Sequence, residues 1–178
     1  TLQIPFPGHP ATLTVKHNDA FLYALMTVQD DRPAGGIQCC SATIFFDNNH
    51  NGVRDPGEDA MGFGPGNQGS DQFFVVDAGT GLPIYRDDRL AGGTADTVNA
   101  GSYDAATGRL ILEARKPLCS ADDAHDFCVK AGDTLGFTVE YFSSAGTVSD
   151  YPTAPDDFAH FADLVISPSP AADLAVKS

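Results

Sequence analysis

Phe21-Leu22-Tyr23-Ala24-Leu25-Met26-Thr27-Val28-Gln29 is bulky on both alternations: Phe21, Tyr23, Leu25 and Thr27 on one, Leu22, Ala24, Met26 and Val28 on the other. Successive strand residues point to opposite faces, so the stretch predicts a central strand covered on two sides. Outward from it, strand-like segments occupy residues 2–6, 11–16, 41–46, 72–76, 82–86, 98–103, 109–115, 135–142 and 161–166. Turn-forming groups separate them, among them Asn18-Asp19, Pro33-Ala34-Gly35-Gly36, Ala78-Gly79-Thr80-Gly81 and Ala91-Gly92-Gly93. Gly, Pro, Asn and Asp each favour turns for a distinct backbone reason. The expectation is an all-β fold: a two-sheet antiparallel β-sandwich, jelly-roll-like, with about ten strands. Helix is expected only as a turn or two around residues 120–127. Residues 1–167 read as one domain, and the Pro-containing residues 168–178 as a C-terminal extension.

Composition narrows the function. The chain has 178 residues, 42% of them hydrophobic, enough for a real core. A net charge of −14 and a pI near 4.3 argue against nucleic acid and anionic membranes as partners. Membrane insertion is not expected, since no apolar run approaches the ~18 residues that a span needs. The acid is mostly aspartate, 21 Asp against 3 Glu, which suits turns and cation binding or a generic acidic surface. No leader-like segment is visible, with no basic start followed by an apolar core. The four cysteines point to an oxidising, extracellular setting. Cys119 and Cys128 bracket a short polar loop that a disulfide would staple. The adjacent Cys39 and Cys40 allow a vicinal disulfide, two buried thiols or pairing with another chain.

The strongest chemical signal is Asp47-Asn48-Asn49-His50-Asn51-Gly52-Val53-Arg54-Asp55-Pro56-Gly57-Glu58, which satisfies D-x-[DN]-x-[DN]-G-x5-E at every fixed position. Ca2+ takes ~6–8 hard oxygens, and a loop curling around the ion presents alternate side chains to it. Asp47, Asn49, Asn51, the Val53 carbonyl, Asp55 and Glu58 are the expected ligands, with Gly52 making the sharp turn. A strand precedes the loop, and Pro56-Gly57 with Ala60-Met61-Gly62 does not continue as an amphipathic helix. The loop therefore resembles the EF-hand-like calcium loops of extracellular β proteins and dockerins. That resemblance implies a structural ion rather than a sensor.

Several segments taken in order resemble the DOMON superfamily and the related family-9 carbohydrate-binding modules. They are residues 16–25 (KHNDAFLYAL), 27–31 (TVQDD), 44–47 (IFFD), 103–118 with Gly108, Glu113 and Pro117-Leu118, and 131–137 (AGDTLGF). The resemblance implies a two-sheet sandwich that binds sugars or haem, often at the cell surface. Sugar faces stack on flat aromatic rings, yet the chain has no Trp. Tyr85, Tyr103, Tyr141 and Tyr151 are the available platforms, and each also reads as an ordinary strand or rim residue. Haem members use Met, His or Lys as axial ligands. Here Met26 reads as core, Met61 as a loop candidate, and His17, His125 and His160 as scattered surface residues.

No G-x-S-x-G, H-E-x-x-H or P-loop is present, and carboxylate pairs such as Asp87-Asp88 are too common to mark an acid/base couple. Glu113 and Glu140 read as structural. The leading expectation is a non-catalytic, extracellular, calcium-binding β-sandwich acting as a cell-surface or self-assembling component. Its terminal segments, at residues 1–6 and 173–177, would either complete their own sandwich or fray, or pair with the sheet edges of other copies of the chain. The alternatives are a carbohydrate-binding module of a secreted system, with polysaccharide as partner, and a b-type haem-binding electron-transfer subunit.

Overall fold

Buried side chains alternate with more exposed ones along residues 11–17, 21–29 and 109–117 of the computed structural model, which describes residues 1–30, 39–65, 69–122, 124–152, 160–168 and 176–177. In chain order the strands are β1 (Leu2–Ile4), β2 (Ala11–His17), β3 (Phe21–Gln29), β4 (Ser41–Asp47), β5 (Asp59–Phe63) and β6 (Ser70–Val76). They continue with β7 (Pro83–Asp87), β8 (Val98–Asp104), β9 (Arg109–Pro117), β10 (Thr134–Phe142), β11 (Val148–Tyr151), β12 (Ala162–Val165) and β13 (Val176–Lys177). A five-stranded sheet has the order β1-β2-β3-β9-β8. An eight-stranded sheet has the order β13-β12-β10-β4-β5-β6-β7, with β11 also on β10. All pairings are antiparallel: β10 gives one edge to β4 and divides the other between β12 and β11.

Turn chemistry sets the hairpins. Asn18 Oδ1 accepts the N–H groups of Ala20 (2.9 Å) and Phe21 (2.8 Å), closing β2 onto β3. Asp77 does the same for Gly79 and Thr80 between β6 and β7, and Asp104 for Ala106 between β8 and β9. The core lies between the sheets. Leu13, Val15, Leu22, Met26, Val28, Leu110 and Leu112 face Ile44, Phe46, Met61, Phe63, Leu135, Phe137, Val139 and Tyr141, all of them buried.

The sandwich class agrees with the sequence reading, and some details differ. β5 was not expected, because Asp59-Ala60-Met61-Gly62-Phe63 is buried on both faces and so shows no polar alternation. A 3-10 turn not expected from the sequence stands at Asp88–Ala91, where Asp87 caps it by accepting the Arg89 N–H and Gly92 ends it at φ 90°; within 120–127 the Asp122 carbonyl accepts the N–H groups of His125 (3.1 Å) and Asp126 (3.0 Å) in one hydrogen-bonded turn. The terminal strands pair inside the chain, β1 on β2 and β13 on β12, each at the edge of its sheet. Finally, β3 is central but covered on one face only: Leu25 is 38% exposed on the other. The turn read at residues 33–36 lies outside the described residues, as do 169–175 and 178 of the extension. Cys39 is bonded to Cys40 and Cys119 to Cys128. Among the described residues no helix is long and apolar enough to cross a membrane.

Candidate functional site

The 47–58 loop leaves the end of β4 and returns into β5. Asp47, fully buried, accepts the N–H of Asn51 at Oδ1 (3.0 Å) and of Gly52 at Oδ2 (2.7 Å). Gly52 turns the chain at φ 77°, a conformation that a Cβ would strain. Asn49 and Asn51 both donate to Asp55 Oδ2, and these bonds hold the Asp55 carboxyl below its usual range. Glu58 Oε2 accepts the Asp55 N–H (3.0 Å), while its Oε1 is buried without a hydrogen-bond partner. Burial, joined by the neighbouring charges of Asp47 and Asp55, pushes the Glu58 carboxyl up to about 8 against the opposing effects of the Asp55 N–H bond and Arg54. The loop thus gathers Asp47, Asn49, Asn51, Asp55 and Glu58 by mutual hydrogen bonds, with Val53 exposed on the turn. His50 points away and meets Asp163 at 2.9 Å. Arg54 lays its guanidinium over Phe45 (4.9 Å), Tyr85 (5.1 Å) and Phe74 (5.7 Å), so the loop also roofs the outer face of the eight-stranded sheet.

A buried ionic group closes the core beside this loop. Lys116 is the last inward-facing residue of β9, following Leu110, Leu112 and Ala114, and it is fully buried. Its ammonium contacts Asp71 and Asp126 and lies 3.2 Å from Asp59. Burial works against its charge, but the carboxylates prevail and hold it above the ordinary lysine value. Asp59, wholly desolvated, is pushed well up despite Lys116. Asp71 is further bound by the Thr97 N–H and hydroxyl, Asp59 by the Phe127 N–H, and Asp126 by the Ser120 hydroxyl.

The uncovered face of the five-stranded sheet carries a groove of about 460 Å³. Register places two rows of outward side chains across it. One row runs Lys16, Tyr23, Arg115, Val98, and the other Thr14, Leu25, Glu113, Ala100. Asn18 donates to the Tyr23 hydroxyl (3.1 Å), Phe21 lies 6.2 Å from the Tyr23 ring, and Arg115 sits over Phe21 at 5.0 Å. An aromatic and aliphatic floor is therefore edged by two cations, a carboxylate and a hydroxyl.

The residues singled out from sequence divide sharply. Tyr141 is in the core with its hydroxyl donating to Asp30 (2.7 Å), and Tyr85 packs between Phe45 and Phe74. Tyr103 and Tyr151 are half-buried against the core. Met61 is fully buried in β5 and not in a loop, and Met26 is equally buried. His17 faces inward, and His125 is paired with Asp122. Sequence reasoning missed Tyr23, Leu25 and Arg115, although the doubled apolar pattern of residues 21–29 was their signal. It missed the ionic group as well, although a lysine in the inward phase of β9 marked it.

No protein-family model matches the chain, and no curated protein matches its sequence. Solved structures do resemble it. A family-9 carbohydrate-binding module from Caldicellulosiruptor kristjanssonii in complex with glucose is 14% identical, with a TM-score of 0.54 over 88% of this chain and 76% of that one. A family-9 module from the same organism in complex with cellotriose is 13% identical, with a TM-score of 0.51 over 90% and 74%. At these identities the likeness is one of fold.

Proposed function

We propose that this chain is a non-catalytic, extracellular carbohydrate-binding module whose ligand lies in the groove on the outer face of the five-stranded sheet. The observation that carries the reading is the row Lys16-Tyr23-Arg115, set beside Leu25 and Glu113 on a sheet face that nothing else in the described residues covers. A pyranose has apolar ring faces and an equator of hydroxyls. Tyr23 and Leu25 match the former, and Lys16, Glu113, Arg115 and Thr14 can exchange hydrogen bonds with the latter. The sugar complexes of two structures with the same fold support this choice of ligand class over haem. Haem would need axial ligands that the buried Met26 and Met61 do not present.

The same reading includes one structural Ca2+ in the 47–58 loop. Asp47, Asn49, Asn51, the Val53 carbonyl, Asp55 and Glu58 would be its ligands, and the partnerless Glu58 Oε1 is the observation that favours it. A bound cation would neutralise the Asp47, Asp55 and Glu58 carboxylates and fix the loop whose Arg54 covers Phe45, Phe74 and Tyr85. Calorimetric titration with cellotriose and with glucose tests the groove. Binding that is lost in Tyr23→Ala at unchanged melting temperature supports it. Equal affinity of Tyr23→Ala and the parent chain refutes it.

A further inference from the structure

We propose that Asp88, Asp122 and Asp126 hold a second Ca2+, which ties the 3-10 turn after β7 to the loop closed by Cys119–Cys128. Carboxylate oxygens of these three residues lie within 4.8 Å of one another. Proximity of acids alone would mean little, but Asp88 adds an independent observation. It is fully buried, and both its oxygens lack any hydrogen-bond partner. A desolvated carboxylate without donors is costly and needs either a proton or a cation. The nearby hydrogen-bonding nitrogens are already committed. Lys116 serves Asp59, Asp71 and Asp126, and His125 Nδ1 serves Asp122 at 2.7 Å.

The donor set chooses the ion. Three carboxylates and no thiolate suit a hard divalent cation. Two free oxygens on one carboxyl suit bidentate binding, which Ca2+ accepts and the smaller, strictly octahedral Mg2+ does not favour. The surroundings are already fixed. Asp122 accepts the Thr94 N–H (3.0 Å), the Asp126 N–H bonds the Asp122 carbonyl (3.0 Å), and the Gly93 N–H bonds the Asp88 carbonyl (2.8 Å). An ion there would join two segments of chain that no regular strand pairing connects. This site shares no ligand with the 47–58 loop and stands or falls separately from it.

Ca2+ stoichiometry of the chelator-stripped chain, measured by calorimetric titration, tests the proposal. The parent chain should bind two ions, Asp55→Ala one and Asp88→Asn one, with Asp122→Asn reproducing Asp88→Asn as a second, half-buried substitution. Retention of one ion by Asp55→Ala and its loss in Asp88→Asn/Asp55→Ala also supports the site, even if the parent binds only one, in which case the loop reading fails instead. An Asp88→Asn chain that binds as many ions as the parent overturns the proposal. So does an Asp55→Ala chain that binds none, because a proton on Asp88 then suffices.

Discussion

Lys116→Met removes the ammonium at the centre of the buried ionic group and keeps most of the buried stem. Three carboxylates, Asp59, Asp71 and Asp126, then lose the cation they share, and all four side chains are essentially inaccessible to solvent. Deleting one partner of a buried pair typically costs about 3–5 kcal/mol, because the opposite charge is left desolvated. The three carboxylates here, each with one other donor at least, place the expectation near the middle of that range. In a chain of this size ~1 kcal/mol moves the melting temperature by ~2–4 °C, so a fall of ~6–20 °C is expected. Differential scanning calorimetry at pH 7 in chelator reads it, the parent chain being measured in the same buffer so that no divalent cation replaces the lost charge. Adding Asp59→Asn to Lys116→Met should recover ~1–2 kcal/mol, since the isosteric amide keeps an acceptor for the Phe127 N–H and removes one stranded charge. A fall below about 3 °C, or no recovery in the double variant, would show that the carboxylates do not depend on Lys116.

Chelation should lower the melting temperature of the calcium-loaded chain, and Asp47→Ala should largely abolish the response of the 47–58 loop. For an ion present at ~100 times its dissociation constant the stabilisation is ~2.7 kcal/mol, and a scan with and without chelator that shows no shift excludes the loop as a calcium site. The turn carboxylates supply a pH dependence. Hydrogen bonds from Thr80 and Thr107 hold Asp77 and Asp104 below the ordinary 3.8, so their contribution is fully present above that value and is lost as pH falls through the lower folded values. Asp104→Asn should lower the urea midpoint most at pH 7 and progressively less as pH falls below ~4, which flattens the acid limb of the profile.

The strands and their turns were legible because they depend on neighbours in sequence. Residues 21–29 appear as a strand with the bounds expected of them, and Asn18, Asp77 and Asp104 close their hairpins through bonds to residues no more than three positions away. β5 escaped because burial on both faces erases the alternation by which a strand is recognised. The 3-10 turn at 88–91 escaped because it depends on its caps, Asp87 and Gly92, rather than on any helical periodicity.

The local sequence also specified the 47–58 loop, whose oxygen-bearing residues sit at fixed spacing within one turn of chain. It could not say which other carboxylates meet. Asp59, Asp71, Lys116 and Asp126 come from three strands and a loop, up to 67 positions apart between Asp59 and Asp126, and only strand order and inward phase bring them together. Exposure of Tyr23 and Leu25 was equally hidden. Their apolar character was plain, but whether a second layer covers that face is a property of how the sheets stack. Periodicity is a short-range signal and settles where strands lie. Register and stacking are long-range, and they decide which faces meet water and which charges must share one ammonium.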